Sequence, residues 1–165
     1  MSKKVAYYGI FAALAVLMGY VEFVLPSPVP IQGVKLGLAN VIVVIAMYFM
    51  GEKSALAISV VRVIMSSLLF GGFSGFLYSI TGALVSFGAM CIVKKIKAVS
   101  IIGVSIVGGI FHNIAQITVA ALVLNTKGVF YYLPVLLISG VITGIIIGLI
   151  SKYCLAHIEK AGIRF

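Results

Sequence analysis

The chain alternates long apolar stretches with short polar, glycine-rich or proline-bearing breaks. Apolar runs of about 17 residues or more are the signature of helices that cross a bilayer. Six such spans are expected, at Val5–Val24, Gly33–Met50, Ser54–Phe70, Phe73–Val93, Val99–Leu124 and Val129–Tyr153. The breaks agree with that division. Pro26, Pro28 and Pro30 exclude helix after the first span, because proline lacks an amide donor and forces the residue before it into extended backbone. Gly51–Ser54 and Asn125–Gly128 read as turns, Gly71–Gly75 as a flexible hinge, and Lys94–Lys97 as a basic loop. The fold class is therefore an all-α membrane protein, one integral membrane domain over residues 1–165.

Composition strengthens this picture. Hydrophobic residues make up 63% of the chain and charged residues only 9%, with a mean hydropathy of +1.30. A water-soluble domain this poor in charge would expose far more apolar surface than monomers tolerate. The first apolar run is too long for a signal-peptide core, so an uncleaved first span is expected.

The net charge of +9 suggests nucleic acid until the charges are placed. With both termini cytoplasmic, the inner side carries nine basic residues: Lys3, Lys4, Lys53, Lys94, Lys95, Lys97, Lys152, Lys160 and Arg164. The outer side carries Lys35 and Lys127. This bias orients the chain in a bacterial cytoplasmic membrane and removes the need for a nucleic-acid partner; the lipid bilayer is the partner. Tyr7, Tyr8, Tyr48 and Tyr153 fall near the inner interface, and Tyr20, Tyr131 and Tyr132 near the outer one. Cys91 and Cys154 have no metal-ligand spacing and read as reduced thiols.

Small residues mark where helices approach closely. Span six carries Gly140, Gly144 and Gly148 at intervals of four. Span one has two small-residue faces, built from Ala12, Ala15 and Gly19 and from Gly9 and Ala13, one more than internal packing requires. These positions are read as helix-packing or partner-docking residues.

Ionisable and amide groups at membrane depth are costly and point to function. Arg62 lies about 12 Å into span three at a rise of ~1.5 Å per residue. It either pairs with Glu22 or backbone carbonyls, or offers its fork to a carboxylate or phosphate on a ligand. Glu22 is an interface carboxylate, a partner for Arg62 or a ligand contact. His112, Asn113 and Gln116 lie mid-span five, where they form either an interhelical hydrogen-bond cluster or a ligand site. Asn40, Ser66, Ser67, Tyr78, Ser79 and Thr81 add polar groups to the outer half, and Lys35 stands at the mouth. The chain has no aspartate, no G-x-x-x-x-G-K-[ST] loop and no Ser/His/Asp set. No catalysis, ATP hydrolysis, metal or cofactor is expected of it.

Several ordered motifs carry a resemblance. They are Lys35-Leu-Gly-Leu-Ala-Asn40, Val61-Arg62-Val63 ahead of Leu69-Phe70-Gly71, Ser79-Ile-Thr-Gly-Ala-Leu84, His112-Asn-Ile-Ala-Gln116 and Leu133-Pro-Val-Leu-Leu-Ile-Ser-Gly140. As a set they resemble the Gx transporter family, also called the heptaprenyl diphosphate synthase component I family. That family is similar to the substrate-binding S components of energy-coupling factor transporters. The resemblance implies a bundle of about six helices that captures a small-molecule substrate outside and delivers it inward. It also implies partners, a transmembrane coupling protein and ATPase subunits that supply the energy. S components dock through an alanine-x-x-x-alanine face of the first helix, to which Ala15-x-x-x-Gly19 and Gly9-x-x-x-Ala13 are the nearest matches here. The family's second name implies the alternative of a non-catalytic accessory subunit of isoprenoid or quinone biosynthesis.

Overall fold

Leucine-, isoleucine- and valine-rich stretches with no competing polar pattern satisfy their backbone groups internally, and they do so as helices. The computed structural model describes residues 2–25, 37–163 and 165, and all its regular elements there are helical. They are α1 (Ser2–Val24), α2 (Asn40–Phe49), α3 (Glu52–Ser66), α4 (Gly72–Lys94), α5 (Ile101–Val123) and α6 (Leu133–Lys160). A π-helical turn, Ser67–Gly71, follows α3, and a 3-10 turn, Lys127–Tyr132, leads into α6. Five of these helices, counting the turns that extend them, are long and apolar enough to cross a membrane.

The exception corrects the sequence reading. The second span was expected to run from Gly33 to Met50, but α2 has only 10 residues. At ~1.5 Å per residue it is about 15 Å long, roughly half a hydrocarbon core. Every residue from Asn40 to Met47 is buried. A helix that is apolar all round belongs inside a bundle, and α2 packs against α1, α3 and α6. Hydropathy cannot tell lipid from protein as the apolar surroundings, so it overestimated the span. Lys35 and the three prolines of the following loop lie outside the described residues.

The expected hinge at Gly71–Gly75 narrows to a turn at Gly72, whose φ of +60° is a conformation glycine adopts freely. The chain reverses there, and α4 runs back beside α3 until Lys94 meets Glu52. Phe73, Ser74 and Gly75 are already helical.

Close packing joins α5 to α6 along the glycine ridge. A Cβ on Gly109 would lie 2.4 Å from the carbonyl oxygen of Gly140, and one on Gly144 or Gly148 would lie 2.6 Å from the Cα of Ile106 or Ile102. The backbones touch with no side chain between them, which maximises dispersion contact where lipid supplies no hydrophobic drive. The two faces of α1 separate in the same terms. Ala15 and Gly19 are buried and Ala12 half-buried, whereas Gly9 and Ala13 are exposed and nothing lies within 4 Å of a Cβ at Gly9.

One end of the bundle gathers basic and aromatic groups. The Lys4 ammonium lies 5.0 Å from the ring centre of Phe165, and Tyr7, Phe49 and Phe165 meet edge-on or tilted. There the Lys94 ammonium donates to the Met47 carbonyl at 2.9 Å, lies 3.7 Å from Glu52 and sits 4.9 Å from the ring centre of Tyr48. Cys91 and Cys154 are both free thiols.

Candidate functional site

At the far end of α1 from this basic cluster, Glu22 is turned inward and buried. Its Oε1 accepts from the backbone N–H groups of Gly37 and, at 3.2 Å, of Leu38. Those two residues open the turn that starts α2, where Asn40 N–H donates to the Gly37 carbonyl and Val41 N–H to that of Leu38. The first amides of a helix lack internal acceptors, and the helix dipole makes this end partly positive. Ala39 at the N-cap provides no side-chain acceptor, so the cap comes from a carboxylate on another helix. Gly37 permits the turn with φ of +80°.

Arg62, on α3, is 5% exposed and shares a small void with Glu22, Gly19, Val63, Ser66, Ser79 and His112. The void measures about 10 Å³, space for about one water-sized group. Glu22 is the neighbouring charge that acts on Arg62, yet the two form no ion pair; among the described residues, the pair is Lys94–Glu52. Among the described residues, Arg62 Nε and Nη2 and Ser66 Oγ find no hydrogen-bond partner. Nε and Nη2 form the side-on edge of a guanidinium, two roughly parallel N–H donors matched to the two oxygens of a carboxylate. A buried cation with that edge open is expensive, by several kcal/mol in order of magnitude. Of the expected alternatives for Arg62, the pair with Glu22 is not formed: Glu22 caps α2 instead.

The α5 residues divide between two neighbours. His112, Asn113 and Gln116 are all buried, Gln116 completely. His112 faces α4 and the Arg62 void. A Cβ on Gly82 of α4 would fall 2.8 Å from His112 Cε1, 2.9 Å from His112 Nδ1 and 3.2 Å from Gln116 Cγ, so only glycine leaves room for both side chains. Asn113 points the other way and donates from Nδ2 to the Leu136 carbonyl of α6 at 2.7 Å. Asn40 is buried at the start of α2; its amide nitrogen and the His112 ring both lie beside Gly37.

The structure therefore brings Glu22, Arg62 and His112 to one void, places Asn40 and Gln116 at its flanks and turns Asn113 toward α6. Lys35 lies outside the described residues. Two contributors escaped the sequence reading. Gly82 sat inside a quoted motif, and its only signal was a bare position in an apolar helix. Lys94 was counted as a loop charge, although it closes the other end of α2.

These features define a class: a multi-helix bundle of membrane-spanning character with a buried, charged polar cluster between its helices. Within that class the chain belongs to the heptaprenyl diphosphate synthase component I family, whose model matches residues 11–154, the family that the ordered motifs resemble. No curated protein and no solved structure matches the chain.

Proposed function

We propose that this protein is the substrate-binding membrane subunit of an uptake transporter, of the S-component type. It captures a small molecule bearing an anionic group outside and releases it inward with energy from partner subunits. The observation that carries this reading is Arg62: a buried guanidinium whose side-on edge has no acceptor among the described residues, beside a carboxylate committed elsewhere. Glu22 and His112 share the void with Arg62, and Asn40 and Gln116 flank it. The clustering of Lys3, Lys4, Lys53 and Lys94 at the opposite end supports a cytoplasmic-membrane orientation with both termini inside. The absence of aspartate and of a nucleotide loop in the sequence supports a chain that neither catalyses nor hydrolyses ATP, so a transmembrane coupling protein and ATPases supply the drive. The exposed Gly9/Ala13 face of α1 is the docking face in this scheme.

Native mass spectrometry of the purified chain tests it. A co-purified small molecule is expected with the natural sequence and should disappear in Arg62→Gln. Uphill movement of that molecule by the chain alone in liposomes would overturn the subunit reading.

The family's name favours a second reading, an accessory subunit of heptaprenyl diphosphate synthesis without catalytic residues of its own. Affinity capture separates the two. A membrane coupling protein with two ATPases among the partners supports transport; a soluble prenyl synthase supports the accessory role.

A further inference from the structure

We infer that the ligand presents a single negative charge, a carboxylate seated side-on on Nε and Nη2 of Arg62, and that Glu22 is the residue that excludes polyanions. This rests on the proposed ligand site and narrows its substrate class. Two donors on one edge of Arg62, a residue 5% exposed, stand without an acceptor among the described residues, and their parallel N–H bonds suit the two oxygens of one carboxylate. The charge inventory limits what can follow. Among the described residues the void holds one guanidinium and one carboxylate, with serine hydroxyls, an imidazole and apolar atoms around them. The partial positive charge at the start of α2 is already answered by Glu22 through Gly37 and Leu38. One further anion pairs with Arg62. A second or third negative charge would stand buried beside Glu22 with nothing among the described residues to offset it, which low-dielectric surroundings penalise heavily. The void takes about one water-sized group, less than a carboxylate or a phosphate occupies, so the side chains around Arg62 must part to seat either, and charge is what separates them. A diphosphate headgroup carries more negative charge than the described residues of this site offset.

The test uses the full chain in detergent with four probes: acetate, hexanoate, inorganic phosphate and pyrophosphate. Binding is read by calorimetry and by the shift in melting temperature. Hexanoate should bind the natural sequence at least about tenfold more tightly than pyrophosphate, a gap of about 1.4 kcal/mol. Arg62→Lys keeps the charge but loses the fork, and should weaken hexanoate by about tenfold or more. Arg62→Gln should abolish binding without lowering the melting temperature, since it removes an unpaired buried charge. Glu22→Gln retains a carbonyl for the amides of Gly37 and Leu38, and should bring pyrophosphate to within about tenfold of hexanoate.

Pyrophosphate binding to the natural sequence as tightly as hexanoate would overturn the monoanion inference. That result would leave the Arg62 site standing. No binding of any probe to the natural sequence or to Glu22→Gln would remove both the inference and the ligand site beneath it.

Discussion

The Lys94 ammonium of α4 donates to the carbonyl oxygen of Met47 at 2.9 Å and so closes the last turn of a helix to which it does not belong. Glu22 of α1 performs the complementary task at the other end, accepting from Gly37 and Leu38. A carboxylate at the N-terminus and an ammonium at the C-terminus both match the helix dipole. A 10-residue helix is too short to be stable alone. Here it is held by burial on every side and by a charge at each end.

Removing the Lys94 clamp should loosen α2 from its inner end. Lys94→Gln is expected to cost about 0.5–2 kcal/mol, the range for a charge-assisted bond to a helix terminus that is partly exposed. Chemical denaturation in detergent reads the loss, and hydrogen exchange should locate it at the α2 amides. Unchanged exchange there would show that Lys94 only decorates the surface.

The cap at the other end separates two roles of Glu22. Glu22→Ala leaves the amides of Gly37 and Leu38 without an acceptor, at about 1–3 kcal/mol. Glu22→Gln should recover most of that stability, because a carbonyl oxygen still reaches both donors. If alanine and glutamine variants melt together, the carboxylate is not the cap.

Gly82 is the test of how tightly the polar cluster is seated. Alanine there normally favours a helix by up to about 1 kcal/mol, but its methyl would meet the His112 ring at 2.8 Å. Gly82→Ala should weaken hexanoate or co-purified ligand by about tenfold through displacement of His112. Gly88→Ala on the same helix, with nothing within 4 Å of its Cβ, should bind as the natural chain does. Equal binding by both variants would show that the histidine has slack.

The two sets of glycines in the bundle should respond in opposite ways. Gly109→Ala forces a methyl against the Gly140 carbonyl oxygen and should destabilise the fold by about 1–3 kcal/mol. Gly9→Leu adds a side chain on an exposed face of α1 and should leave melting unchanged while reducing capture of a membrane partner. A Gly9→Leu chain that unfolds would mean the face packs internally; one that captures partners normally would move docking elsewhere.

Much of the architecture was legible from one dimension because lipid simplifies the rules. A spanning helix needs only length and apolarity, so α1, α4 and α5 appear in the sequence within a few residues of their observed ends, while α6 runs seven residues past its expected end at Tyr153 to Lys160. The ridge Gly140/Gly144/Gly148 was likewise readable, since in a membrane small residues at intervals of four have few uses besides close approach. The failures share a cause. The true length of α2, the extent of the turn between α3 and α4, and the pairing of Gly82 with His112 depend on which element lies beside which. Hydropathy does not carry that information.

The sequence by itself determined that the chain forms apolar helices, that basic residues gather at one end, and that a few polar groups must be hidden among them. Each of these follows from the transfer energy of individual side chains. Only the tertiary structure decided which polar groups meet. It sent Glu22 to the amides of Gly37 and Leu38 and not to Arg62, turned Asn113 to Leu136 and left His112 beside the open guanidinium. Hydrogen bonds reach only about 3 Å, so partners separated by tens of residues are chosen by packing alone.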